Sequence, residues 1–109
     1  MTTQTQISER LEVGPEVLED FCQRWHIARL EVFGSVLRED FDTSSDIDFL
    51  VSFEPEGGPT GMDWFQIKDE LARLVGRRVD VLDRRVVEHS RNLYRRQHIL
   101  REATTVHGS

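Results

Sequence analysis

Two aspartates, Asp46 and Asp48, stand at the head of an apolar run, ten residues beyond the pair Gly34-Ser35. On a strand, side chains two apart share a face, so these carboxylates would lie side by side with their backbones about 6 to 7 Å apart. Asp is disfavoured in strands, and neighbouring carboxylates repel. A divalent cation resolves that conflict. Hard oxygen donors around an open coordination sphere are what Mg²⁺ takes when it also holds phosphates. A pair of ions can divide the work, one activating an attacking oxygen and the other holding the leaving group. Asp80, on the polar side of the later segment RRVDVLD, is a candidate third ligand. Gly34 permits close backbone approach, Ser35 offers a hydroxyl, and a helix starting there would aim free N–H groups at an anion. Alone, each signal is weak: Gly-Ser is usually a turn, Asp-x-Asp a loop or cap, and a lone Asp80 a surface carboxylate. Together, in this order, they point to metal and phosphate chemistry.

The elements that must position these residues follow from periodicity. From Gly14 a helix is signalled, with Pro15 at its first position and Leu18, Phe21, Cys22 and Trp25 as one apolar stripe ending near His26. IARLEVF alternates as a strand that Gly34 ends, SVLRED suits a short helix, and DFDTSS has the side chains of a loop. DIDFLVSFE reads as the central strand, with Ile47, Phe49, Val51 and Phe53 on one face and Asp46, Asp48, Leu50 and Ser52 on the other. After the loop EPEGGPTG, Asp63 with Gln66 resembles a capping box for a helix that buries Trp64, Ile67, Leu71, Leu74 and Val75 and stops at Gly76. RRVDVLD is a third strand, a basic helix is expected over about residues 85–101, and TTVH is a short closing strand. This order predicts an α/β layer with a mixed sheet. Residues 1–109 are expected to form one domain, with residues 1–13 flexible.

Composition bounds the function. The 109 residues are 38% hydrophobic and 31% charged, as a globular chain requires. No apolar stretch approaches the about 20 residues of a membrane span, and the polar start lacks a signal peptide's core, so a cytoplasmic address and no membrane partner are expected. The single Cys22 excludes an internal disulfide and a cysteine zinc cage. The formal charge of −6 is uneven: residues 1–72 carry five basic and sixteen acidic side chains, and residues 73–109 carry nine and four. Binding to bare nucleic acid is disfavoured, since phosphate neutralisation supplies most of that affinity. Two readings stand for the basic segment: a surface for an acidic partner or a solvated helix face. Tyr94 among Arg91, Arg95 and Arg96 is either an interface anchor or part of that face. The four histidines show no metal-motif spacing.

FGSVLREDFDTSSDIDFLV resembles the G-S-x10-D-x-D signature of the polymerase-β-like nucleotidyltransferases, and GRRVDVL resembles the segment bearing their third carboxylate. The resemblance covers about residues 28–83, and RNLYRRQHILREATTVH is similar to the tail of the minimal members, the MntA-type antitoxins of HEPN toxins. It implies a small mixed sheet flanked by helices, with Asp46, Asp48 and Asp80 as catalytic ligands of Mg²⁺ and Asp80 also placed to accept the acceptor's proton. Gly34 and Ser35 would hold the β and γ phosphates of ATP. Many relatives end this turn with an Arg-Gly pair, whereas here it reads Val36, Leu37, Arg38, Glu39, which leaves Arg38 between phosphate contact and pairing with a carboxylate. The implied activity is Mg²⁺-dependent transfer of AMP from ATP to a hydroxyl, with a tyrosine of a cognate HEPN ribonuclease toxin as acceptor. Two alternatives stand beside it, neutralisation of the toxin by stoichiometric binding and nucleotidyl transfer to a small molecule.

Overall fold

The computed structural model describes residues 4–42, 44–55 and 61–108. Thr43 of the DFDTSS loop and most of the EPEGGPTG loop lie outside the described residues. The elements run α1 (Gln4–Leu11), α2 (Pro15–Arg24), β1 (Ile27–Phe33), a 3-10 turn (Gly34–Leu37), β2 (Ile47–Phe53), α3 (Gly61–Val75), β3 (Val79–Asp83), α4 (Arg84–Glu88), α5 (Leu93–Glu102) and β4 (Thr104–His107). The sheet order is β3-β2-β1-β4. β1 is antiparallel to β2 and to β4, whereas β2 and β3 are parallel across the α3 crossover. The expected mixed sheet flanked by helices is what forms.

Alternation decides what each face meets. Leu30, Val32, Ile47, Phe49 and Val51 point to one side and pack with Phe21, Cys22, Ile67 and Leu71 of the helices covering it. Burial pushes the Cys22 thiol up to about 12, which leaves it an unreactive core side chain. The opposite face is also covered: Phe33 and Leu50 pack with Val87 of α4 and Ile99 of α5. Asp48 shares this second face with Leu50, so the helices cover the strand's middle and leave its N-terminal end for the acid.

Several local readings change. The opening segment, expected to be flexible, is helical from Gln4 with Ile7 and Leu11 buried. An isolated helix of this length is marginal, and its order comes from contacts invisible in its own sequence. Burial of Ile7 and Leu11 contributes roughly 1.5–3 kcal/mol each, and Arg10 donates to the carbonyls of Val36 at 2.6 Å and Arg38 at 2.7 Å. The proposed basic helix over 85–101 is two helices, because Asn92 caps α5 by accepting from the Arg95 N–H and interrupts the run. Asp63 sits inside the first turn of α3 rather than ahead of it. Asp46 precedes β2 instead of belonging to it.

The second face hides one charge. Glu31 is only 4% exposed and accepts from Arg84 Nη1 at 2.7 Å, with Arg29 Nε at 3.3 Å. Breaking a buried pair strands a charge away from water, whereas an exposed pair contributes little. Arg84→Ala should therefore lower unfolding free energy in urea by about 3 kcal/mol. The control Arg73→Ala, at an exposed pair with Asp69, should shift it by less than about 1 kcal/mol. Equal effects would show that Glu31 is not held by Arg84.

Candidate active site

Residue identity at the end of β1 builds the first wall of the site. Gly34 has φ +76°, a left-handed conformation that costs glycine little, and a Cβ there would collide with the Asp48 carboxylate. The chain then turns through Gly34–Leu37 as a single 3-10 turn rather than the expected short helix. Ser35 Oγ donates to the Asp46 carbonyl at 2.9 Å, which ties this turn to the start of β2. Arg77 pins the intervening loop by donating to the Asp42 carbonyl at 2.6 Å and lies over the Phe41 ring.

Parallel register builds the second wall. Asp48 of β2 is paired with Asp80 of β3, so both side chains leave the sheet on the same side. Asp48 is half-buried, and its pKa is raised by that burial first, then by the charges of Asp80 and Asp46. Arg38 acts in the opposite sense on Asp48, placing its positive charge at the site. Asp46 is exposed, and its carboxylate meets Arg78 Nε at 3.2 Å.

The structure thus brings Gly34, Asp48 and Asp80 together, sets Ser35 and Arg38 beside them, and leaves Asp46 exposed against Arg78. Among the described residues, no three His, Cys, Asp or Glu side chains converge closely enough to hold an ion as they stand. The donor chemistry nevertheless suits Mg²⁺. Asp48 and Asp80 concentrate like charge on hard oxygen atoms, and Asp46, exposed and paired with Arg78, carries the same kind of donor.

One participant was missed in the sequence. Glu102, at the end of α5, accepts from the Gly34 N–H at 2.7 Å and also raises the Asp48 pKa. Sixty-eight positions separate it from Gly34, and a lone Glu ending a basic helix carries no signal of such a contact. A hollow of about 580 Å³, lined by Asp46, Asp80, Phe65 and Lys68 among others, opens beside the carboxylates between α3 and β3. A hollow of about 630 Å³ between Asp83 and Ser90 contains none of the predicted site residues.

Comparison with known proteins gives the family and a shared fold. The family model of the nucleotidyltransferase domain matches residues 15–106. A Methanocaldococcus jannaschii protein provisionally named a protein adenylyltransferase is 25% identical over 82% of this chain and 86% of its own length. The protein adenylyltransferase MntA of Thermococcus cleftensis is 33% identical over 59% of this chain and 63% of its own. Among solved structures, one provisionally named a minimal nucleotidyltransferase superposes with a TM-score of 0.62 at 38% identity, covering 83% of this chain and 86% of the other. A toxin-antitoxin structure with AMP-PNP gives 0.67 at 18% identity, with 89% and 75% covered. A tri-AMPylated Shewanella oneidensis HEPN toxin in complex with its MNT antitoxin gives 0.59 at 18%, with 87% and 70% covered. At that identity these last two show a shared fold. With its glycine-serine turn, its facing aspartates and a family match over most of its length, the chain belongs to the nucleotidyltransferase domain family and is a nucleotidyltransferase.

Proposed function

We propose that this chain, acting as one domain in the cytoplasm, transfers AMP from ATP to a tyrosine hydroxyl of a cognate HEPN ribonuclease toxin in a Mg²⁺-dependent reaction, and so serves as its antitoxin. The observation that carries the reading is the Asp48–Asp80 register beside a left-handed Gly34. Support also comes from relatives named protein adenylyltransferases and from the fold shared with an AMP-PNP complex and with an AMPylated toxin complex. Asp46, Asp48 and Asp80 would supply the oxygen ligands of Mg²⁺, which when bound neutralises charge at the α-phosphate and makes the attacking hydroxyl more acidic. The Gly34-Ser35 turn receives the β and γ phosphates, with the Ser35 hydroxyl redirected from the Asp46 carbonyl. Asp80 accepts the hydroxyl proton as the new oxygen-phosphorus bond forms and pyrophosphate departs. Arg38, already acting on Asp48, balances the acids or meets phosphate.

A pure binding antitoxin is the second reading, favoured by the engagement of Asp46 with Arg78. Incubating toxin, ATP and Mg²⁺ with a trace of this protein separates the two by intact mass. Adenylate on many toxin molecules per antitoxin is expected; unmodified toxin in a one-to-one complex would overturn the enzymatic reading. Turnover with a small hydroxyl compound and none with toxin would point to small-molecule transfer instead.

Two variants probe the site itself. Asp48→Asn should abolish adenylate transfer while keeping the fold. Because the folded chain raises the Asp48 pKa above its ordinary 3.8, it holds this proton to higher pH than the unfolded chain does. That group's contribution to stability is complete below the ordinary value and is lost as pH rises through the folded one. The Asn variant should therefore unfold at a higher temperature than the parent at pH 7, with the gain fading as pH approaches 3.8. Retained transfer in this variant, or lower stability at pH 7, would contradict the assignment. Gly34→Ala displaces the Asp48 carboxylate, and a misplacement near 1 Å costs on the order of 100-fold in rate. A loss of that size in single-turnover transfer is expected.

A further inference from the structure

We propose that the groove between α3 and the open edge of β3 receives the acceptor tyrosine, with Phe65 packing against its ring and Lys68 placing a cation beside its phenolic oxygen. This deepens the adenylyl-transfer reading and rests on it. The argument starts from direction. Across the sheet the order runs from the Gly34-Ser35 turn after β1, to Asp48 on β2, to Asp80 on β3. In phosphoryl transfer the entering and leaving oxygens stand roughly in line through the phosphorus. With pyrophosphate leaving toward the turn, the entering hydroxyl arrives from the side of β3, around whose open edge the groove on the α3 side of the sheet reaches Asp80 and Asp46.

A hollow waits there. β3 is the edge strand of the sheet and, among the described residues, pairs only with β2. Beyond it, Phe65 and Lys68 of α3 and Asp80 of β3 line both the 580 Å³ hollow and an adjoining recess of about 270 Å³, which Trp64 and Val81 close on their apolar sides. Phe65 is 73% exposed and Met62, one turn earlier, is 70% exposed. Large apolar side chains left in water beside a reaction site suit an aromatic guest, because ring pairs gain from packing beyond area alone. The charges divide in the same sense. Asp69 is paired with Arg73 and Asp46 with Arg78, whereas Lys68 makes no ion pair among the described residues. As the phenolic proton passes to Asp80, negative charge gathers on the oxygen that attacks the α-phosphorus, and Lys68 attracts it. The bond between that phosphorus and the bridging oxygen then breaks, and pyrophosphate carries the electron pair away.

Initial rates with cognate toxin and with ATP, each varied in turn, test the groove. Phe65→Ala and Lys68→Glu should each raise KM for toxin by about tenfold and leave KM for ATP within about twofold, and Phe65→Trp should retain the parent value. Both positions are exposed, so unfolding midpoints should match the parent. A rise in KM for ATP in place of toxin would assign the groove to the adenine base and overturn the proposal. Unchanged constants for both substrates would overturn it as well. Failure of the parent to adenylate toxin at all would instead remove the reading on which the groove depends.

Discussion

Parallel pairing of β2 with β3 forces two acids to face each other, and the site is organised around that repulsion. Register leaves the strands no choice: once Ile47 lies opposite Val79, Asp48 lies opposite Asp80. A slip by one residue would send both carboxylates into the apolar layer under α3, so the hydrophobic alternation that builds the core also holds the acids in place. The raised Asp48 pKa records what this arrangement costs. A fold selected for stability alone would relieve it with one neutral substitution, which is why the facing acids read as function.

Around this pair, charged side chains from elsewhere in the chain hold the glycine-serine turn and the segment leading to Asp46. Arg10 of α1 grips the carbonyls that follow the glycine-serine turn. Arg77 secures the segment leading to Asp46, and Glu102 of α5 takes up the Gly34 N–H. A hydrogen bond from a charged partner is worth more than a neutral one, and guanidinium groups can span two carbonyls at once. Such bonds tie the turn and the segment leading to Asp46 to residues distant in the chain.

The helices divide the labour. α2 and α3 close the core on one face, whereas α4 and α5 leave the N-terminal end of β2 uncovered and deliver Glu102 to the turn. The exposed Tyr94 stacks on His98, and His98 meets Glu102 at 3.5 Å. The basic segment thus reaches the site through one carboxylate even though Arg85, Arg91, Arg95 and Arg101 are exposed.

Much of this was legible in the residues. Alternation marked β1 and β2, Pro15 marked the start of α2 and Gly76 the end of α3, and the spacing of Gly34, Ser35, Asp46, Asp48 and Asp80 carried the family resemblance. Local chemistry dictates these features, so a local reading recovers them. The fold alone decided which residues separated by dozens of positions would meet: Asp48 with Asp80, Glu102 with Gly34, Arg84 with the buried Glu31, and Arg78 with Asp46. It also ordered α1, whose few apolar residues gain their stability only against a core made elsewhere. Periodicity assigns a side chain to a face, but long-range contacts and charge balance depend on how those faces close together, and that is settled only when the chain packs.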